Sequence, residues 1–507
     1  MCISSHHALS IHHSTLNPQP QGDALLVHTV GVPSICFLLA GFGFLALPTK
    51  RVCVLALMTV FARRLGTVTG QATTARRHGL KTPTNNFAGA SLYGWLVSPY
   101  TAKVRSMLHH KGITFSDTTP TATQLLTRVR PAVGRLIMPA VHLSDGSWRQ
   151  DSALICDEIE AEHPEPNLRP SGAAQQLASS LLELHADEWL PLLALHYRWA
   201  HNEAWAVDEF ARCGFPLLPG SLGAQLVRPV ASKMKSIRRV QGAAPGTHAG
   251  IEAYAASLIS HLEEHLRSSG LPFLLGGRPC RGDFALYGPL WSHLFRDPSS
   301  RPLYEEATHV VAWFERLHGH AADAAFPNLP CRVPPSHAAN DADATAAFLP
   351  ADEVPESLDG LFKGVFAEQW DFLARLSQQL DAHLDEQQQQ QQQAATASGS
   401  GDAGSGGGGG TRLRVPRALG TLPFTVGGAA GERRAVIYQL WRMQRSLDAF
   451  AALELAPSRD LELRSAQAWL SRLGALDAFR AVKPRWRLER DSKLPIAQET
   501  FHATRVR

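Results

Sequence analysis

The chain has 507 residues, 44% hydrophobic and 19% charged, with 49 basic against 45 acidic side chains and a formal net charge of +4. That length predicts two to four units with a full-sized core, and the near-balance of charge beyond residue 90, without a Lys/Arg run or aromatic-basic stripe, excludes nucleic-acid binding. Seven cysteines (Cys2, Cys36, Cys53, Cys156, Cys213, Cys280, Cys331) are odd in number and never spaced Cys-x-x-Cys, which excludes a disulfide framework or zinc knuckle and points to a reducing compartment.

Residues 1–90 form a segment apart. Asp23 is their only acid, while Arg63, Arg64, Arg76, Arg77 and Lys81 gather towards the end with Ser and Thr. This composition fits a transit peptide to a chloroplast or mitochondrion. Apolar runs over residues 32–47 and 52–62 equally suit membrane association through residues 32–62, although the first falls short of the roughly 20 residues a spanning helix needs. A cleaved targeting or disordered segment, a membrane anchor and a wrongly extended gene model are the three readings. The first places the protein in an organelle, the last in the cytoplasm.

Residues 91–168 alternate strand and helix. Leu92–Val97 predicts a strand, Pro99–His110 a helix with Val104 and Leu108 on one face, and Ile113–Asp117 a second strand. Ile137–Leu143 and Trp148–Arg149 flank Ser144-Asp145-Gly146-Ser147, a hairpin-turn signal, before a helix from about Asp151 to Glu162. Strand-helix-strand then hairpin-helix is the thioredoxin-like α/β order.

Residues 173–345 read as an all-helical domain, with Phe284-Ala285-Leu286-Tyr287 opening a helix that is apolar nearly all round and therefore central. Residues 346–507 read as a helical extension. In it an amphipathic helix, Leu361–Leu384, and a second helix from about Arg433 to Leu455 flank a low-complexity insert, 387–411, expected to be disordered.

Three places carry chemistry. Ser98 precedes Pro99 as a helix N-cap, so its hydroxyl and the free backbone N–H groups suit a thiolate or other anion. Met138-Pro139 opens the third strand, where proline breaks a central ladder unless the peptide is cis or the strand an edge; a cis form exposes the main chain of Met138 to a peptide backbone. In Asp151-Ser152, the hydroxyl suits a carboxylate and caps the following helix, while the aspartate suits an ammonium group. The imidazoles of His261 and His265 share a helical face without a third ligand, and no metal is expected.

Ser98-Pro99-Tyr100, Met138-Pro139 and Asp151-Ser152 resemble, in order and approximate spacing, the N-terminal domain of the glutathione S-transferases. Phe273-Leu274-Leu275-Gly276-Gly277-Arg278-Pro279 followed by Asp283-Phe284-Ala285 resembles the entry to that family's buried helix. The likeness spans roughly Leu92 to His320. A subgroup with a long C-terminal extension is similar at Asp187-Glu188-Trp189-Leu190, His196-Tyr197-Arg198-Trp199 and Phe424-Thr425-Val426-Gly427-Gly428. The sequence departs at Cys280, where the family carries a Ser or Thr cap, and at Met138, where Val is commoner.

This resemblance implies a thioredoxin-like glutathione-binding domain followed by an all-α domain. Glutathione would be the co-substrate, its thiolate attacking a small electrophile, and the protein would be a homodimer. Ser98 would polarise the thiol, with Tyr93 the alternative phenol. Met138 and Pro139 would meet the cysteinyl backbone, Asp151 and Ser152 the γ-glutamyl end, and Arg135 or Lys103 the glycyl carboxylate. Tyr100, Tyr197 and Trp199 would line the electrophile pocket. Serine at position 98 excludes thiol-disulfide exchange, which needs a cysteine there. The rival reading is a non-catalytic binding or scaffold protein of the same fold, membrane-associated in one version.

Overall fold

A short strand, β1 (Ser91–Tyr93), leads through the Ser-Pro turn into α1 (Pro99–His110), and the chain returns as β2 (Ser116–Thr118), parallel to β1. A helical stretch, α2 (residues 122–133), crosses to the antiparallel pair β3 (Ala140–His142) and β4 (Trp148–Gln150), followed by α3 (Ser152–Glu162). The sheet order is β2-β1-β3-β4, the thioredoxin-like arrangement. This computed structural model describes residues 86–318, 347–397, 412–491 and 501–506, all within one compact unit that runs from Thr73 to Arg507. The expectations for residues 1–85, including the apolar runs, lie outside the described residues. Among the described ones, no helix is long and apolar enough to cross a membrane.

The strands are shorter than their apolar runs because Gly94 to Val97 leave the ladder to form the turn before α1. Gly94 is compelled there: a Cβ on it would lie 2.1 Å from the Thr101 side chain. Val104 and Leu108, four apart, are both buried, as the helical period requires.

Behind this domain run α4 (Ala173–Glu188), α5 (Pro191–His196) with a π-helical turn Tyr197–His201, α6 (Glu203–Gly214), α7 (Gly220–Val240), α8 (His248–Ser269), α9 (Arg281–Pro289) and α10 (Thr308–His318). Every residue of α9 is buried, as the apolar sequence from Phe284 onward predicts, and the burial includes Arg281 and Asp283. Asp283 at its third position accepts from the amides of Cys280 (2.8 Å) and Leu274 (3.1 Å) and from Trp313 Nε1 (2.9 Å). Thus Asp283 supplies the carboxylate half of a capping box although sulfur stands at the cap. At Gly288 this helix meets α1 so closely that a Cβ would come within 2.5 Å of the Pro99 carbonyl.

The extension departs from its sequence reading in three ways. It is not purely helical: β5 (Leu413–Val415), β8 (Trp486–Arg490) and β9 (Phe501–Arg505) form a sheet of order β5-β9-β8, and β6 (Ala418–Val426) pairs with β7 (Ala429–Val436). Gly427 and Gly428, with φ of 53° and 80°, supply the left-handed pair that a tight hairpin demands. Residues 433–436 are therefore strand, and the helix behind them, α12, begins later and spans Ile437–Glu454.

The third departure is the glutamine run. It continues a helix of residues 359–397 (α11) instead of being disordered. Glutamine has good helix propensity, and buried Leu380 and Leu384 fix the turns that precede the run. Arg505 donates to Gln388 Oε1 at 3.1 Å. Residues 398–411 of the expected insert lie outside the described residues.

Buried histidines tie the extension to the helical domain. His185 Nδ1 meets Gln369 Oε1 at 2.8 Å and its Nε2 meets the Tyr254 hydroxyl at 3.2 Å; His265 Nδ1 meets Ser357 Oγ at 2.7 Å. Burial pushes both imidazoles down to about 4, so each is neutral when folded and titrates at its ordinary 6.5 when unfolded. Their contribution is complete above pH 6.5 and is lost as pH falls towards 4. Urea melts should lose on the order of 2 kcal/mol per histidine over that window, and His185→Gln should flatten the acid limb. An acid limb unchanged by that substitution would refute the assignment.

Candidate functional site

The sheet register brings the three sequence-predicted segments to one end. Tyr93 pairs with Ala140, and Ala140 with Gln150, so one row crosses β1, β3 and β4. The chain leaves β1 after Tyr93, enters β3 just after Pro139 and leaves β4 after Gln150. Ser98, Met138-Pro139 and Asp151 therefore stand on the same edge, with the N-termini of α1 and α3 opening there.

Ser98 is half-buried and caps α1, its Oγ accepting from Thr101 N at 3.3 Å. The Met138–Pro139 peptide is cis, the first of the two alternatives that the position of the proline allows. Met138 packs beside Trp95, Val97 and Cys213, with Trp205 and Phe210 completing the cluster. Arg135 is half-buried in the loop before β3.

Asp151, not Ser152, caps α3. It adopts a left-handed φ of 83°, and its Oδ1 accepts from the amides of Ala153 (3.0 Å) and Leu154 (3.4 Å); Ser152 is the buried first residue of the helix. The other carboxylate oxygen turns towards the extension. Tyr438 donates its hydroxyl to Oδ2 at 2.8 Å, and the Arg490 guanidinium pairs with the same atom. Burial alone would raise this carboxyl, but Arg490 and Arg442 outweigh it and hold the group below the ordinary range.

Lys103 does not face the site. Its ammonium is buried between Glu183 Oε1 and Asp187 Oδ2, both at 2.8 Å, so it cannot meet a glycyl carboxylate. Burial alone would lower it; the two carboxylates reverse that and raise it. Arg442 of α12 reaches the same pair, 3.1 Å from Asp187 Oδ2 and 3.4 Å from Glu183 Oε1. Arg281 joins Glu183 to Asp157, which Arg445 also holds. These ion pairs bind the thioredoxin-like domain, α4 and the extension into one buried network. Glu188, next along, is held up to about 8 by burial, with the Asp187 charge adding to it.

The other pocket candidates are structural. Tyr93 is buried against Val129, Val133 and Ala140, its ring 5.3 Å from Trp148, in the core and not the site. Tyr100 donates to the Asp187 carbonyl at 3.0 Å, joining α1 to α4. Tyr197 is buried with its ring beside those of His196 and His201, and Trp199 against Ala206, Ala231 and Phe210. Neither builds a wall for an electrophile.

Sequence reasoning missed Tyr438, Arg442 and Arg490. The four-residue spacing of Tyr438 and Arg442 puts both on one face of α12, which is the one local signal available. Arg490 ends β8, 339 residues from Asp151, and nothing nearby marks it.

A thioredoxin-like sheet with two capped helix N-termini and a cis-proline on one edge, backed by a helical domain, defines a class, and the comparisons agree with it. Residues 92–167 match the family model described as "Glutathione S-transferase, N-terminal domain". No curated protein matches the chain.

Among solved structures it is similar to beta-etherase LigF from Sphingobium sp. strain SYK-6, with 18% identity and a TM-score of 0.33, over 46% of this chain and 97% of that one. A glutathione S-transferase from Rhodospirillum rubrum F11 matches with 16% identity and a TM-score of 0.30, over 50% and 99%. FzlA from C. crescentus matches with 16% identity and a TM-score of 0.30, over 50% and 100%. Likeness at these values says nothing of activity.

Proposed function

We propose that this chain is a binding protein of the glutathione transferase fold whose γ-glutamyl subsite is held shut by its own extension, and that it does not conjugate. One observation carries this reading: both oxygens of Asp151 are already taken, Oδ1 by the α3 amides and Oδ2 by Tyr438 and Arg490. A γ-glutamyl ammonium would have to displace a buried arginine to reach the carboxylate. Breaking such a pair strands a charge and costs several kcal/mol, about the whole free energy of a millimolar ligand. Arg442 adds a second positive charge where the ammonium would sit.

The competing reading is conjugation after the extension is displaced, and Ser98 favours it. The serine stands at a helix N-terminus with a hydroxyl to offer a thiolate and the cis-proline on the same sheet edge. Immobilised glutathione and a conjugation assay with a chloronitrobenzene separate the two. The wild-type chain should pass the resin and leave the electrophile unreacted, while Tyr438→Phe with Arg490→Gln should gain retention. Retention and turnover by the wild type, both lost in Ser98→Ala, would establish the transferase instead.

A further inference from the structure

Away from the Ser98 edge, the helical domain carries a cluster of nitrogen and oxygen donors that the fold does not need. We propose that His196, His201 and Glu252 form a binding site for one divalent transition-metal ion of the zinc class. Their ligand atoms all lie within 4.8 Å of one another. His196 Nε2 is 2.8 Å and His201 Nε2 2.9 Å from the same atom, Glu252 Oε1.

The local backbone explains how they meet. In an α-helix, residues five apart point about 140° away from each other. The chain from Tyr197 to His201 is instead a π-helical turn, whose i→i+5 bonding brings residues of that spacing onto one face. The two imidazoles stand nearly perpendicular, at 89°, with ring centroids 5.0 Å apart, and both present Nε2 to the carboxylate on α8. Such turns are uncommon and recur at functional sites.

The hydrogen bonds within the cluster do not satisfy it. His196 is wholly buried and its Nδ1 has no partner among the described residues. His248 packs on the His196 ring with centroids 4.5 Å apart, and its buried Nε2 is likewise without one. Two imidazoles on one carboxylate oxygen, with a third stacked behind, are more than a packing contact calls for.

The donor set suits a metal. Arg238 is the cation felt at His248 and opposes binding there, while the Glu252 carboxylate acts in the opposite sense. Two imidazoles and a carboxylate favour zinc, cobalt or nickel over magnesium or calcium, which take oxygen donors. Donors about 2.1 Å from a tetrahedral ion stand about 3.3 Å apart, so the cluster must open by roughly half an ångström. The half-exposed side chains of His201 and Glu252 can provide this while His196 stays fixed, leaving a fourth position for water.

The test uses the full chain, stripped with a chelator and titrated with Co²⁺ and then Zn²⁺. One Co²⁺ should bind per chain with the visible absorption of a four- or five-coordinate ion, Zn²⁺ should displace it, and the melting temperature should rise with Zn²⁺. His201→Ala and Glu252→Gln alter half-exposed side chains and should each weaken binding at least tenfold. His309→Ala removes another surface histidine on a carboxylate, Glu263, and should leave binding unchanged. Equal binding by His201→Ala, Glu252→Gln and the wild type, or no saturable binding, would overturn the proposal.

Discussion

Replacing Arg198 by alanine should lower the unfolding free energy by about 3–5 kcal/mol, a large part of what a protein has. The side chain is buried, and all its bonds go to buried groups. Nε and Nη2 grip Asp297 at 2.8 and 2.6 Å, Nη1 donates to the Val97 carbonyl at 2.7 Å and meets His293 Nε2 at 2.8 Å, and Nη2 donates to the Ser292 carbonyl at 2.7 Å. Truncation would strand Asp297, which has no exposed surface, and two carbonyls.

Lysine cannot rescue the fork, since a single ammonium does not reproduce the bidentate grip. Arg198→Lys should therefore retain less than half of the lost stability. Val97 immediately precedes Ser98, so amide exchange at the Ser98 turn should quicken in both variants. An unfolding free energy from urea melts within about 1 kcal/mol of wild type for Arg198→Ala would show that the network relaxes around the loss.

The second large effect falls on Asp151. Asp151→Ala removes the α3 cap, worth about 1 kcal/mol, and leaves Arg490 buried without its carboxylate, for a total of about 4–6 kcal/mol. Asp151→Asn keeps an acceptor for the Ala153 and Leu154 amides and should cost less. In a double-mutant cycle with Arg490→Gln, the coupling should exceed about 2 kcal/mol. Strict additivity would mean that the extension is not held at Asp151 by this ion pair, which would also remove the ground for a closed subsite.

Much of the first domain was legible because its signals are local. A Ser-Pro pair before Val104 and Leu108 fixes a cap, a first turn and a buried face within ten residues, and α1 runs over the residues its pattern indicates. The special character of Met138-Pro139 was legible as a cis peptide or an edge strand, and the structure decided for cis. Lys103, Tyr93 and Trp199 misled, because a side chain's type does not say which way its element faces. Lys103 turns to two carboxylates on α4 some eighty residues on, a choice made by helix packing.

By itself the sequence determined the thioredoxin-like order, the helical domain with its buried α9, and the capped turns that define the edge of the sheet. Each follows from periodicity, capping or backbone restriction acting over a few residues. Only the tertiary structure decided what stands on that edge. Tyr438, Arg442 and Arg490 reach Asp151 and its neighbours because the extension buries its apolar faces against α4. Buried charges must then find partners wherever packing puts them, and no local pattern records that requirement.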